Sequence, residues 1–87
     1  MRVVPTKKYM RQAERMPSNL YRKLQERVTL FARQPFHPLL DNHPLSGSWR
    51  GYRSINITGN WRVVYEQVGT DIARLIEVGT HHNLYGT

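Results

Sequence analysis

The sequence predicts a single α+β domain in which two helices cover one face of a small antiparallel sheet. With 87 residues, 39% of them hydrophobic, and no cysteine, the chain has the length for one small core and no disulfides to supplement it. Apolar residues recur at helical spacing in the first third of the chain and alternate as in strands near its end. We therefore expect the order strand, helix, helix, strand, strand, strand in one domain that spans residues 1–87.

The first half of the chain predicts an edge strand and two helices. Residues 1–4 form a short apolar start, which favours a strand. Pro17 ends a first helical pattern, and Ser18 is a suitable N-cap for a second, longer helix. The apolar side chains of the two helices are Tyr9, Met10, Ala13 and Met16, then Leu20, Leu24, Val28 and Phe31.

The second half predicts a loop followed by a three-stranded meander. The proline-rich segment Gln34–Ser48 is unsuited to a helix. Three stretches then alternate or are rich in β-branched residues, Trp49–Thr58, Trp61–Val68 and Ile72–Val78, with tight turns between them. If the helices cover the face of Ile55 and Ile57, then Ser54 and Asn56 lie on an open face.

Charge is concentrated at one end of the chain. Residues 1–35 hold nine basic and two acidic side chains. Their net charge of +7 equals the net charge of the whole chain. A polyanion or an acidic protein is the partner that such a surface favours. The longest apolar runs have three or four residues, far fewer than the ~20 of a membrane helix, so we expect a cytoplasmic protein without a membrane partner.

Four histidines are the first candidates for chemistry, because imidazole exchanges protons near neutral pH. His37 and His43 lie in the loop, and His81 and His82 follow the last strand. Two adjacent histidines do not easily reach one ion, and we expect neither a metal site nor a cofactor. Spacing does not decide between two positions for Arg62. It lies either near Asn56 on the exposed face or across from Glu66 as an ion-pair partner.

Three motifs in order resemble the RelE/ParE superfamily of bacterial toxins and, within it, the YafQ branch. They are Asn42–Arg53 with its His-Pro-Leu, Trp61–Tyr65, and Val78–Gly86 with its Gly-Thr-His. The resemblance implies a type II toxin that cleaves mRNA in the ribosomal A site without metal. It also implies inhibition by a cognate acidic antitoxin, and contact with operator DNA through the antitoxin complex.

The resemblance also implies residue roles. His81 corresponds to a general acid, His43 to a base or substrate-orienting group, Arg62 to a phosphate clamp, and Tyr85 to a stacking or proton-relay residue. Aromatic and basic residues that alternate along the strands are typical of RNA contacts. We expect such contacts from Arg50, Arg53, Asn56 and Trp61.

Three departures from the YafQ pattern leave alternatives open. Asn56 replaces a histidine, Asn60 an aspartate, and Glu77 an arginine. Loss of a proton-transfer group slows cleavage, and an anion near the phosphate repels it unless Glu77 is paired. The alternatives are a non-enzymatic toxin that binds DNA gyrase, as ParE-type members do, and a weakened toxin that acts mainly within an antitoxin complex.

Overall fold

A five-stranded mixed sheet organises the computed structural model, which describes residues 1–86. The helices and strands are β1 (Arg2–Pro5), α1 (Lys7–Glu14), α2 (Ser18–Arg33), β2 (His43–Pro44), β3 (Arg53–Thr58), β4 (Trp61–Val68), β5 (Ile72–Thr80) and α3 (His81–Tyr85). Two single-turn 3₁₀ helices, Pro38–Leu40 and Gly47–Trp49, lie between α2 and β3. The predicted α+β class and the order of its first elements are confirmed. No helix of the described residues has the length and apolar character to cross a membrane.

The sheet differs from the expected antiparallel one in its first strand. The strand order is β1-β5-β4-β3-β2. β1 pairs with β5 in parallel, with Val3 opposite Ala73, whereas the other neighbouring strands are antiparallel. Parallel neighbours need a crossover connection, and the two helices together with the rest of the chain supply it. The expectation of a wholly antiparallel sheet was therefore wrong at this edge.

The main core lies between the sheet and helices α1 and α2. Phe31 of α2 packs against Tyr65 of β4, with ring centroids 4.7 Å apart, and both side chains are fully buried. Each such side chain contributes about 1.5–3 kcal/mol through removal of apolar surface from water. Burial, and secondarily the charge of Tyr21, raise the pKa of Tyr9 above its ordinary value.

Side-chain hydrogen bonds attach α1 to β5. The Thr6 hydroxyl accepts from the backbone N–H of Tyr9 at 3.2 Å and caps the helix. It also donates to the carbonyl of Leu75 at 2.8 Å. The Gln12 side chain accepts from the backbone N–H of Val78 at 2.8 Å. These bonds fix the helix on the strand that leads into α3.

Helix α2 begins one residue earlier than predicted. Pro17 takes the N-cap position, and no side chain forms a capping hydrogen bond there. The prediction of Ser18 as the cap was therefore wrong. Pro17 accounts for the boundary, because its ring prevents continuation of the preceding helix.

The third strand begins at Arg53, four residues later than predicted. Trp49 lies instead in a 3₁₀ turn. Gly47 and Gly51 adopt φ angles of 64° and 94°, a region that suits glycine and is incompatible with an extended strand. The alternation of apolar residues therefore predicted the strand correctly only after the second glycine.

The sheet face opposite α1 and α2 is partly covered, although we expected it to be open. Ser54 and Val64 are fully buried yet lie outside the helix-side core. The Trp49 indole donates to the carbonyl of Leu84 at 3.0 Å, so the loop before β3 is tied to α3. The loop and α3 leave a cleft between them.

Candidate active site

A cleft of about 460 Å³ lies on the face of the sheet that carries Ser54. Its walls come from the loop after α2, from β2, from β4 and from α3. All four residues expected to act in catalysis line it, namely His43, Arg62, His81 and Tyr85, together with Asp41 and Trp49. Residues separated by up to 44 positions in the sequence, from Asp41 to Tyr85, thus converge on one opening.

His43 is held by the residue two positions before it. Its Nδ1 lies 2.6 Å from the backbone carbonyl oxygen of Asp41 and 3.8 Å from that residue's carboxylate. A carbonyl oxygen only accepts, so Nδ1 carries the hydrogen in this contact. In the neutral ring the lone pair is then on Nε2, and this nitrogen is the one able to take a proton.

Arg62 supplies positive charge to the cleft. One guanidinium nitrogen donates to the carbonyls of Gly59 and Trp61, at 2.8 Å and 3.1 Å. Within residues 1–86 Arg62 forms no ion pair, because Glu66 bonds to Arg74 at 2.8 Å instead. Of the two positions that the sequence allowed for Arg62, near Asn56 or paired with Glu66, the structure shows the first, because Arg62 lies opposite Asn56. Its charge is therefore free to bind an anion.

His81 begins α3 and is exposed. Its ring meets the ring of Tyr85 edge to face, with centroids 4.6 Å apart and an angle of 74°. The Tyr85 hydroxyl donates to Ser54 Oγ at 3.0 Å. The hydroxyl of Tyr85 is therefore engaged with the sheet, which favours a stacking role over proton relay.

Four residues expected to touch RNA do not line the cleft. Arg50 is exposed on the loop. Trp61 packs against the hydrophobic core. Asn56 is partly buried, and its Oδ1 has no hydrogen-bond partner in the described part of the chain.

Arg53 is the fourth of these residues and has a structural environment. Its Nε donates to Asn42 Oδ1 at 2.9 Å, and its guanidinium lies 5.5 Å from the centroid of Phe36. Asn42 in turn bonds to the Tyr65 hydroxyl and to the Pro35 carbonyl. Arg53 therefore ties the loop to the helix-side core, and its contact with RNA stays a prediction.

The two remaining departures from the YafQ pattern also have defined places. Glu77 pairs with Lys8 at 3.3 Å and accepts from Gln12 at 3.1 Å, and it does not line the cleft. Its charge is thus compensated by α1. Asn60 uses its backbone carbonyl to accept from the His81 N–H at 2.7 Å, which fixes the start of α3.

Metal ligands are not clustered in this fold. Within residues 1–86, no three histidine or carboxylate side chains lie close enough to hold an ion. The chemistry that the cleft residues themselves supply is proton transfer by imidazole and charge stabilisation by guanidinium.

Asp41, which lines the cleft, and Ser54, which bonds to the cleft residue Tyr85, were not identified from the sequence as functional. Asp41 adopts a left-handed φ of 45°, which aims its carbonyl at His43; an aspartate before an asparagine in a loop is a recognisable signal for this conformation. Ser54 was placed only on the presumed open face. Nothing local to its sequence marks it, because its partner Tyr85 lies 31 residues away.

Comparisons with known proteins identify the family of the chain. The family model described as the bacterial toxin of type II toxin-antitoxin system, YafQ, matches residues 1–86. The mRNA interferase toxin YafQ of Escherichia coli K12 is 35% identical over 52 residues, which are 60% of this chain and 55% of that protein. The matched segment thus spans little more than half the length of that curated relative.

Solved structures extend the similarity over the whole fold. A crystal structure of a YafQ mutant from E. coli has a TM-score of 0.78 and 26% identity, over 99% of this chain and 100% of that one. The chain in a crystal structure of the E. coli DinJ-YafQ complex has a TM-score of 0.76 and 25% identity, over 99% and 100%.

Proposed function

Because the chain belongs to the YafQ family of bacterial type II toxin–antitoxin toxins, we propose that it is an endoribonuclease that cleaves mRNA on the ribosome. The observation that carries the proposal is the convergence of His43, His81 and Arg62 on one cleft. The family membership expected from the three sequence motifs is confirmed.

In the proposed reaction the ribose 2′-OH attacks the adjacent phosphate and the bond to the 5′-oxygen breaks. His43 Nε2 takes the proton from the 2′-OH, since Nδ1 is bonded to the Asp41 carbonyl. Arg62 binds the phosphoryl oxygens, and His81 protonates the leaving 5′-oxygen. The products are a 2′,3′-cyclic phosphate and a free 5′-hydroxyl.

The magnitudes of these contributions fit an RNA-cleaving enzyme. Each proton-transfer group contributes on the order of 10²–10⁴ in rate, and a fixed cation contributes about 10²–10³. Two imidazoles and one guanidinium supply all three roles, and we therefore propose a reaction that needs no metal. The replacement at Asn56 leaves His43 and His81 as the proton-transfer pair.

The ribosome has a clear physical role in this proposal. The cleft is open to solvent, so by itself it does little to orient a flexible mRNA. A ribosome-bound mRNA is already oriented, which removes much of the entropic cost of reaction. The protein would then act in the cytoplasm.

The expected partner is a cognate acidic antitoxin, through which the toxin would also contact operator DNA. A relative with this fold, YafQ of E. coli, is known in complex with DinJ. Two features of this chain support such binding: the nine basic residues of positions 1–35, and the outer edge of β1, which no other strand of residues 1–86 covers. A free strand edge accepts an added strand from a partner. A basic surface attracts an acidic protein.

The proposal is tested on translating ribosomes. Purified toxin is added to ribosomes with a defined mRNA, and cleavage sites are mapped by primer extension. Wild-type protein is expected to cut in the A site, and His81→Ala and Arg62→Ala are expected not to. Intact mRNA at saturating wild-type toxin, with inhibition of gyrase in a supercoiling assay, would instead identify a ParE-type target.

A further inference from the structure

Ser54 occupies an unusual position for a polar residue. Among residues 1–86, and apart from the aromatic Tyr65, it is the one polar side chain that is completely buried. It lies in β3, directly opposite His43 of β2 on one side and Val64 of β4 on the other. Buried hydroxyl groups require a hydrogen-bond partner, and Ser54 finds it in Tyr85.

Tyr85 connects this buried hydroxyl to His81. Its hydroxyl bonds to Ser54 Oγ at 3.0 Å, and its ring lies edge to face against the imidazole at 4.6 Å. Tyr85 is therefore fixed at its hydroxyl by the sheet and contacts His81 through its ring. No other side chain in the described structure forms a ring contact with His81.

Helix α3 depends on such tertiary bonds for its position. It has five residues, and a helix this short is unstable in isolation. The Thr80 cap, the bond from His81 N–H to Asn60 and the bond from Trp49 to Leu84 fix its backbone. None of these bonds involves the His81 side chain, whose ring contact in the described residues is with Tyr85.

We propose that Ser54 is a positioning residue for cleavage: through Tyr85 it fixes the orientation of the His81 imidazole in the cleft. The inference rests on the function proposed above. It also defines the role of Tyr85, whose hydroxyl serves as an anchor and does not transfer a proton to RNA. Misplacement of a reacting group by about 1 Å can cost on the order of 10²-fold in rate, so loss of the anchor is expected to be measurable.

Three variants isolate the bond. Ser54→Ala removes the hydroxyl and adds no volume, Tyr85→Phe removes the donor and keeps the ring, and the double variant removes both. Each is expected to lower the single-turnover cleavage rate on ribosomes by about tenfold or more, with unchanged affinity for the ribosome. Because both changes break one bond, the double variant is expected to match the single variants. Ser18→Ala, at an exposed position without a capping bond, is the matched control and is expected to behave as wild type.

A measurement independent of activity accompanies the kinetics. The Tyr85 ring current shifts the NMR signals of the His81 ring protons, and this shift is expected to shrink in Ser54→Ala and in Tyr85→Phe. Circular dichroism establishes that each variant is folded, and if Ser54→Ala does not fold, Tyr85→Phe alone carries the test. If wild-type toxin does not cleave mRNA, the proposed function fails, whereas the NMR shift still tests the positioning.

Two results would overturn the inference. One is a Ser54→Ala protein with wild-type cleavage and an unchanged His81 ring shift. The other is a loss of cleavage in Tyr85→Phe without any loss in Ser54→Ala, which would identify the Tyr85 hydroxyl as a proton donor rather than an anchor.

Discussion

Arg53→Ala is expected to lower stability and leave cleavage intact, in contrast to substitution of Arg62, the proposed phosphate-binding arginine. Arg53→Ala removes the charged hydrogen bond to Asn42 and the contact with the Phe36 ring. A hydrogen bond to a charged group contributes about 1.5–3 kcal/mol, and an exposed cation–π contact about 0.5–1 kcal/mol. Because Phe36 is 66% exposed, and Asn42 retains Tyr65 and Pro35 as partners, the lower values apply. The expected loss in the free energy of unfolding is therefore about 2 kcal/mol.

Thermal and urea denaturation measure this loss. For a domain of this size, 2 kcal/mol lowers Tm by roughly 8–16 °C. Cleavage by the folded fraction is expected to stay within about twofold of wild type. Arg62→Ala is the matched comparison, with the opposite result: cleavage falls by about 10²-fold and Tm changes little. If Arg53→Ala left Tm unchanged and abolished cleavage, the placement of Arg53 away from RNA would be wrong.

Three further predictions follow from single contacts. Glu77→Ala is expected to cost about 1 kcal/mol by loss of the Lys8 and Gln12 contacts, without faster cleavage; a large gain in cleavage rate would show that Glu77 repels the RNA. Tyr9 has a raised pKa in the folded state, so above pH ~10 the unfolded chain loses a proton that the folded one keeps, and stability falls with a slope of up to about 1.4 kcal/mol per pH unit. Tyr9→Phe is expected to reduce that slope in alkaline denaturation, and an unchanged slope would contradict it. When the His43 ring is uncharged, ¹⁵N NMR is expected to show its hydrogen on Nδ1. A lone pair on Nδ1 would rule out the bond to the Asp41 carbonyl.

The helices and the three-stranded meander were predictable because their signals are local. The stripe from Leu20 to Phe31 and the glycine-containing turns depend on neighbours within one or two turns of chain. The parallel pairing of Val3 with Ala73 depends on residues seventy positions apart, and no local pattern encodes it. Alternation also failed around Trp49, where two left-handed glycines override it.

Helix α3 was missed although its signals are present. Thr80 is an N-cap residue and Gly86 adopts the left-handed conformation that ends a helix. Only five residues separate these signals, which is too few for a helical pattern to emerge. Tertiary bonds stabilise α3.

The motifs predicted the candidate catalytic residues, but residue type alone did not predict where Arg53 and Trp61 lie. His43, Arg62, His81 and Tyr85 converge as the resemblance implied. Arg53 and Trp61 look equally suited to RNA from their residue types, but strand alternation directs one to the loop network and the other to the core. Alternation with Ile55 and Ile57 already places Arg53 on the helix side of the sheet, whereas its partner Asn42 lies eleven residues away in the loop.

Cleavage of mRNA in the cleft between β2, β4 and α3 is the function proposed for this protein. It is tested most directly by primer extension on ribosome-bound mRNA with wild type, His43→Ala, His81→Ala and Arg53→Ala at equal folded concentrations. We expect A-site cuts from wild type and Arg53→Ala, and losses on the order of 10²–10⁴ for each histidine variant. Undiminished cleavage by both histidine variants would contradict the claim and place the active site elsewhere in the fold.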